Sequence, residues 1–101
     1  MQEGTMPKAY WIAHVTVTDP EPYAIYAEGA SQAFRKFGAR VLARGGAFEQ
    51  FEGEGHPRNV VIEFPSMQAA RDCYRSDIYQ SARANRTDAG IAEIVIVEGV
   101  E

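Results

Sequence analysis

Residues 58–66 read Arg58-Asn59-Val60-Val61-Ile62-Glu63-Phe64-Pro65-Ser66. A short apolar run of this kind, bounded by turn residues, is typical of a buried strand. Pro65 ends the strand because it has no N–H for the ladder, and Ser66 is a favoured helix N-cap. The stretch therefore predicts a strand that leads directly into a helix, and it singles out Glu63 as a carboxylate within that strand.

The segment before this stretch predicts one strand and one long helix. Asp19 is a candidate N-cap with Pro20 at the first helical position, and apolar residues follow at helical spacing until Gly38 supplies the stop. Lys8–Thr18 alternates as a strand, and one of its faces is wholly apolar: Ala9, Trp11, Ala13, Val15 and Val17.

The middle of the chain predicts a hairpin. Ala39–Ala43 is a second strand, Gly45-Gly46 indicates a bulge or bend, and Ala47–Phe51 resumes the strand. The glycine-rich segment 53–57 is a turn, so this strand pairs with Arg58–Phe64.

The last third predicts a broken helix and a final strand. Ser66 caps the first helical piece, a break is expected near Arg75, and Ser76 restarts the helix. Gly90 ends this unit, and Ile91–Val97 is an apolar strand.

The predicted order is βαββαβ, which indicates an α+β, ferredoxin-like sandwich with a four-stranded antiparallel sheet. This topology places strands 1 and 3 centrally, with strand 2 beside strand 3 and strand 4 beside strand 1. The helices then cover one face only. The opposite face is too apolar to remain in water, so a homodimer through stacked sheet faces is expected.

Length and charge limit the class of protein. With 101 residues the chain fits one domain, which we place at 8–101, with 1–7 as a flexible N-terminal arm or an expression remnant. The net charge of −4, with its arginines scattered among acids, argues against a nucleic-acid partner.

Targeting signals and cysteines point to a cytoplasmic protein. The N-terminus has no signal region, and no apolar run approaches the roughly 20 residues that span a bilayer, so no membrane partner is expected. The lone Cys73 allows no intrachain disulfide, which fits a reducing compartment.

The best chemical candidates are Arg44, Glu63 and His14. Antiparallel counting around Glu54-Gly55 places Arg44 opposite Phe64 or Pro65, and a bulge would bring Glu63 within reach. His14 could point to the same face, giving an acid oriented by a guanidinium and an imidazole able to move a proton. The alternative is a structural ion pair at a dimer interface with a histidine whose hydrogen bonds are satisfied.

A second set of candidates lies on the helices. The hydroxyls of Tyr23, Tyr26, Tyr74 and Tyr79 could line a cavity between the layers and bind a ligand, with Arg86 near the end of the last helix. The alternative is simple packing of a helical aromatic stripe, with Arg86 acting in capping and solvation.

No metal site or cofactor is expected. His14 and His56 lie far apart with no ligand spacing, and Cys73 lies on an apolar helical stripe where thiols are usually inert. The glycine pairs lack the pattern that cradles phosphates.

Several separate motifs, in order from Lys8 to Val100, resemble the bacterial DUF1330 family. They are Tyr10-Trp11-Ile12-Ala13, Asp19-Pro20, Tyr26, Arg44-Gly45-Gly46, Phe51-Glu52-Gly53, Val61-Ile62-Glu63-Phe64-Pro65-Ser66, Tyr74, Ser76, Tyr79-Gln80 and Glu98-Gly99. The resemblance implies a dimeric α+β barrel, a superfamily that includes cofactor-free quinol monooxygenases, muconolactone isomerase-like proteins and EthD-like proteins. Three features depart from the family pattern: Gly38-Ala39 stands where a glycine pair is frequent, Cys73 stands where a tryptophan is frequent, and His14 is not part of the pattern.

The family has no assigned reaction, so function is inferred by analogy with the superfamily. We expect a protein that binds a small aromatic or carbonyl compound; whether it is also a cofactor-free enzyme of the monooxygenase or isomerase type is left open. The alternative is a non-catalytic homodimeric structural or interaction module.

Overall fold

The computed structural model describes residues 7–100, so the predicted arm at 1–7 lies, except for Pro7, outside the described residues. The elements in chain order are β1 (Ala9–Val17), α1 (Pro20–Lys36), β2 (Arg40–Arg44), β3 (Arg58–Phe64), α2 (Met67–Arg75), α3 (Asp77–Ala84) and β4 (Gly90–Glu98). The strands form one antiparallel sheet in the order β2-β3-β1-β4. The predicted ferredoxin-like α+β fold and strand order are confirmed.

Helix α1 begins and ends where the sequence predicts. Asp19 occupies the N-cap position in an extended conformation, although its side chain accepts no cap hydrogen bond, and Pro20 follows it. At the other end Gly38 adopts a φ of +76°, a left-handed conformation that glycine reaches without a Cβ clash. The N–H of Ala39 then donates to the carbonyl of Phe34 at 2.9 Å, which closes the helix and starts the return to the sheet.

A serine caps the start of each of α2 and α3, and the second serine forms the break between them. The Ser66 hydroxyl accepts from Ala69 N at 3.0 Å and starts α2. The Ser76 hydroxyl accepts from Tyr79 N at 3.1 Å and donates to the Cys73 carbonyl at 2.7 Å. One side chain therefore satisfies groups of both helices, as expected for a capping serine. This cap fixes the direction in which Tyr79 enters the core.

The core is built around Trp11 on the helix-facing side of β1. Its ring lies 5.0–5.9 Å, centroid to centroid, from Phe34, Phe64, Tyr74 and Tyr79. Trp11 is 1% exposed, and truncating a ring buried to this degree typically costs about 3–5 kcal/mol of stability. The aromatic cluster fixes α1, α2 and α3 against the sheet.

The connection between β2 and β3 differs from the prediction. Residues 45–57 form an irregular, largely exposed segment rather than a resumed strand, so the strand predicted at Ala47–Phe51 is wrong. The pairing irregularity lies between Val41 and Ala43, not at the glycine pair. Gly45 has a φ of +71°, which turns the chain away from the ladder as soon as β2 ends.

The residues of β2 pair with other residues of β3 than those given by antiparallel counting around Glu54-Gly55. Arg40 lies opposite Glu63, and Arg44 lies opposite Val60. Directly opposed residues share a face of the sheet. Arg44 therefore lies on the same face as Val60 and Ile62, which is the face covered by the helices.

The helix-free face, which we call the outer face, carries an apolar stripe across three strands. Ile12 pairs with Val61 on one side and with Val95 on the other. Along β4, Ile91, Val95 and Val97 are 59%, 54% and 47% exposed. Such a continuous exposed apolar surface is typical of an interaction site.

Among the described residues, no helix has the length and apolar character needed to cross a membrane.

Candidate functional site

A cleft lies between α1 and the helix-facing side of the sheet. It encloses about 50 Å³, and about 530 Å³ when its open mouth is included. Most of its lining is apolar or aromatic: Trp11, Ala13, Val15, Tyr23, Tyr26, Ala27, Ala30, Phe34, Val41, Val60, Ile62 and Ile94. Three arginines, Arg44, Arg58 and Arg86, and Ser31 complete it. Apolar walls with a few converging polar groups are typical of small-molecule sites.

Two tyrosine hydroxyls and one guanidinium meet beside this cleft. The hydroxyl oxygens of Tyr26 and Tyr79 are 2.9 Å apart, and Arg86 Nη1 donates to Tyr26 at 3.2 Å and to Tyr79 at 2.9 Å. The Arg86 guanidinium also lies over the Tyr26 ring, 4.9 Å from its centroid, a favourable cation–π distance. The trio joins α1, α3 and the segment that follows α3.

The three side chains together have one hydroxyl hydrogen more than they can accept among themselves. Arg86 donates to both oxygens, and only one hydroxyl can donate to the other, so one hydroxyl hydrogen has no acceptor within the trio. Tyr26 lines the cleft, whereas Tyr79 is fully buried behind it. Tyr26 is therefore the hydroxyl placed to donate to a ligand oxygen.

Burial keeps both tyrosines neutral. It raises the pKa of the Tyr26 hydroxyl and, more strongly, the pKa of the Tyr79 hydroxyl above the ordinary value of 10.0. Burial alone would lower the pKa of Arg86, but the Tyr79 and Tyr26 hydroxyls outweigh it and leave that pKa above its ordinary value. At neutral pH the trio thus consists of two neutral hydroxyls and one cation.

Arg44 and Arg58 lie at one end of the cleft. Arg58 is in register with Val15, and Arg44 with Val60, two positions further along β3. The guanidinium carbon of Arg58 lies 5.6 Å from the Tyr23 ring centroid. Its Nε atom is buried and has no hydrogen-bond partner among residues 7–100. A buried donor without a partner is uncommon in folded proteins, so this group is a candidate for ligand binding.

The structure brings together only part of the predicted ligand set. Tyr26, Arg44 and Arg86 line the cleft. Tyr79 contributes only through its bond to Tyr26 and Arg86. Tyr74 packs against Trp11 and Tyr79 in the aromatic cluster and does not line the cleft.

Glu63 and His14 lie on the outer face, so the predicted trio with Arg44 is wrong. Glu63 is paired with Tyr10, whose hydroxyl donates to it at 3.4 Å. His14 Nδ1 lies 2.6 Å from Asn59 Oδ1. The count failed because the turn is not centred at Glu54-Gly55 and because the pairing irregularity between Val41 and Ala43 places Arg44 opposite Val60, on the other side of the sheet from Glu63.

The outer face has a polar pocket of its own near this histidine. His56 Nδ1 lies 2.7 Å from Thr16 Oγ1, and His56 Nε2 lies 3.7 Å from Glu93 Oε1. The pocket measures about 480 Å³ and is lined by His14, Gln50, Gly53, Glu54, Gly55, His56 and Glu93. It lies where the connection 45–57 folds back on the outer face.

The remaining candidates for chemistry are the metal-ligating side chains and the thiol of Cys73. Within residues 7–100 there is no group of three or more His, Cys, Asp or Glu side chains placed to hold a metal ion. Cys73 is fully buried, and burial raises the pKa of its thiol to about 12. A thiol that stays protonated is a poor nucleophile.

Arg58 is a cleft residue that was not among the sequence candidates, whereas its neighbour Tyr23 was. A signal for Arg58 was present, because it alternates with Val60 and Ile62 and must share their face. Tyr23 was predicted from its place on the inward stripe of α1, one helical turn before Ala27. Their proximity to each other depends on how α1 crosses the sheet, which the sequence pattern does not specify.

Comparison with known proteins gives a family and a fold. Residues 8–100 match the family model described as Domain of unknown function (DUF1330). No curated protein matches the chain in sequence. A protein of unknown function from Rhodopseudomonas palustris is similar in structure, with a TM-score of 0.74 at 19% identity over 94% of this chain and 84% of that one.

Two further structures share the fold at lower identity. SnoaB, a cofactor-independent oxygenase from Streptomyces nogalater, has a TM-score of 0.64 at 9% identity, covering 94% of this chain and 95% of that one. A dimeric protein of unknown function with a ferredoxin-like fold from Bacteroides fragilis has a TM-score of 0.55 at 12% identity, covering 91% and 96%.

Proposed function

Because the chain belongs to the DUF1330 family over residues 8–100, for which no reaction is assigned, we propose a function from the cleft itself: it binds a small aromatic or carbonyl compound. The observation that carries this proposal is the Tyr26 hydroxyl, which is held by Arg86 and Tyr79 at the edge of an apolar cleft and has a hydrogen left to donate. A ligand oxygen would accept from Tyr26 while its apolar body packs on the aromatic lining.

A ligand screen with two readouts tests the proposal. The compounds are small aromatic acids, quinols and lactones, and the first readout is the thermal unfolding midpoint, which rises when a ligand binds only the folded state. The second is the fluorescence of Trp11, the only tryptophan in the chain, which lines the cleft. A compound that moves both readouts supports binding in the cleft. A complete set that moves neither would contradict it.

The second candidate function is cofactor-free oxygenation. Arg86 and the Tyr26 hydroxyl are placed to stabilise the anion of an enol or phenol, and such an anion can itself react with O₂. The structural likeness to the cofactor-independent oxygenase SnoaB favours this candidate over other reactions. Oxygen uptake with a quinol that binds, compared between the wild type and Tyr26→Phe, tests it. Uptake no faster than in protein-free buffer would leave only the binding role.

We further propose that two copies of the chain associate through their outer faces. The stripe formed by Val61, Ile12 and Val95 supports this, as does the dimeric state of the Bacteroides fragilis protein. Phe48 and Phe51 on the connection 45–57 are 48% and 86% exposed and are available to contact the second copy. A dimer that binds none of the tested compounds would fit the alternative function, a non-catalytic homodimeric module.

A further inference from the structure

The cleft has an unusual charge for a chain with an acidic net charge. Its lining contains three arginines and no carboxylate, while the whole protein carries a net charge of −4. Among residues 7–100, no carboxylate lies within 4 Å of any of these three guanidinium groups. Positive charge without a matching acid, at a site walled by apolar side chains, is expected where the ligand supplies the negative charge.

The three arginines are not equivalent. Arg86 is held by the hydroxyls of Tyr26 and Tyr79. Arg58 packs beside the Tyr23 ring with its Nε atom buried and unpartnered, and Arg44 stands exposed at the mouth. Two of the three guanidinium groups thus have donors directed to no acceptor in the described part of the chain.

Arg44 and Arg58 are placed to act on one anion. Arg44 is in register with Val60, so Arg58 is its diagonal neighbour on the same face of the sheet. Backbone positions related in this way lie about 7–8 Å apart, within reach of long side chains. Arg58 is further confined by Gly45, where an added Cβ would lie 2.9 Å from Arg58 Nη1. The absence of a side chain at Gly45 leaves room for this guanidinium.

We propose that the ligand of the cleft is an organic carboxylate with a small aromatic or apolar body, and that Arg58, assisted by Arg44, binds the carboxylate. This proposal rests on the proposed binding function and specifies its ligand class. The planar fork of a guanidinium matches a carboxylate through two parallel hydrogen bonds. The body of the ligand would lie between Tyr23 and Val60, with the enclosed volume filled first and the mouth second.

A dependence of binding on the charge of the ligand distinguishes this proposal from the broader proposal that the cleft binds a small aromatic or carbonyl compound. Benzoate and benzamide have nearly the same shape, and only benzoate carries a charge. Each is titrated into the wild type with Trp11 fluorescence as the readout, and inorganic phosphate is tested as a competitor. We expect benzoate to bind at least about tenfold more tightly than benzamide, since hydrogen bonds to a charged group are stronger than those to a neutral group.

Two variants and one control assign the preference to residues. Arg58→Met should remove the preference for benzoate and keep the affinity for benzamide, and Arg44→Met should reduce the preference in part. Arg40→Met is the matched control, because Arg40 lies on the same strand as Arg44 but opposite Glu63 on the outer face. It should leave both affinities unchanged. Thermal unfolding of each variant confirms that it is folded.

The outcomes are distinct. Equal binding of benzoate and benzamide by the wild type would overturn the carboxylate proposal and leave the binding function standing. Phosphate that competes as strongly as benzoate would overturn the carboxylate in favour of a general anion site. If both Arg58→Met and Arg44→Met still prefer benzoate to benzamide, these residues do not bind the carboxylate. If neither benzoate nor benzamide binds, and no compound of the wider screen binds, the proposed binding function itself is overturned.

Discussion

The hydroxyl groups of Tyr26 and Tyr79 lie 2.9 Å apart, and a single nitrogen of Arg86 donates to both. This contact joins α1 to α3 at a point where the surrounding side chains are apolar. Removal of one hydroxyl therefore leaves two polar groups short of a partner, in a place that water does not readily reach.

Tyr79→Phe is expected to lower the free energy of unfolding by about 1–3 kcal/mol, because it deprives both Tyr26 and Arg86 of a buried partner. Urea unfolding measures the change. Tyr74→Phe is the matched control: this ring belongs to the same aromatic cluster, and its hydroxyl makes no hydrogen bond within residues 7–100. That variant should stay within about 0.5 kcal/mol of the wild type. Equal losses in the two variants would contradict the role given to the Tyr79 hydroxyl.

Alkaline pH is expected to destabilise the protein. Burial raises the pKa of Cys73 from 9.0 to about 12 and raises the pKa values of Tyr26 and Tyr79 above 10.0. Above pH 9 the unfolded chain therefore loses protons that the folded protein keeps, so stability falls as pH rises. Each group contributes a slope of up to about 1.4 kcal/mol per pH unit.

Urea unfolding between pH 8 and pH 11 measures this dependence, and a substitution separates its parts. In Cys73→Ala the decline should begin about one pH unit later, because only the tyrosines, with an ordinary pKa of 10.0, remain to titrate. An unchanged onset in Cys73→Ala would show that the thiol does not contribute.

A larger side chain in the cleft should block ligand binding. Ala27 lines the cleft, while Ala24, one turn earlier on α1, is exposed. Ala27→Leu is expected to weaken the binding of any compound identified in the screen by about tenfold or more, since the added atoms occupy the ligand's place. Ala24→Leu adds the same atoms on the solvent side and should bind normally. Similar affinity in both variants would locate the ligand elsewhere.

A charge on the outer face should weaken self-association. Val95 and Ile25 are 54% and 57% exposed, but only Val95 lies on the sheet, whereas Ile25 lies on α1. Val95→Asp is expected to shift the protein towards monomer because it places a charge in the apolar interface. Ile25→Asp should leave association unchanged. Analytical ultracentrifugation at micromolar concentration measures both, and a wild type that is monomeric throughout would refute the dimer.

A methyl group at Gly45 should disturb Arg58. The φ of Gly45 is +71°, and an added Cβ would lie 2.9 Å from Arg58 Nη1. Gly45→Ala is expected to destabilise the protein by about 1–2 kcal/mol and to lower the affinity for benzoate more than for benzamide. Gly46→Ala is the control, because its added Cβ meets no atom within 4 Å. Equal effects of the two substitutions on benzoate binding would contradict the contact.

The elements that depend on local pattern were predictable from the sequence. Alternation in β1 identified Trp11 as an inward residue, and Gly38 and Ser76 identified a helix end and a helix restart. Each of these signals acts within a few residues, where backbone sterics and capping determine the structure. The order of the strands then followed from general rules of chain connection.

The site could be predicted only in part because it depends on contacts between distant residues. The pairing of Arg44 with Val60 depends on the pairing irregularity between Val41 and Ala43, whereas the sequence indicated a bulge at Gly45-Gly46. The hydroxyls of Tyr26 and Tyr79 meet only because α1 and α3 pack together. The periodic pattern put both residues on inward faces but could not show that their hydroxyls would meet at Arg86.

The alternation of β3 has an evolutionary consequence. One face of this strand supplies Arg58 and Ile62 to the cleft, and the other face supplies Asn59 and Glu63 to the outer surface. A single residue inserted within the strand would move every later side chain to the other face and place an acid on the helix-facing side, where the strand now has an apolar side chain. An insertion in the connection 45–57 would leave both faces as they are. Variation in length among relatives is therefore expected to accumulate in that connection and to spare β3.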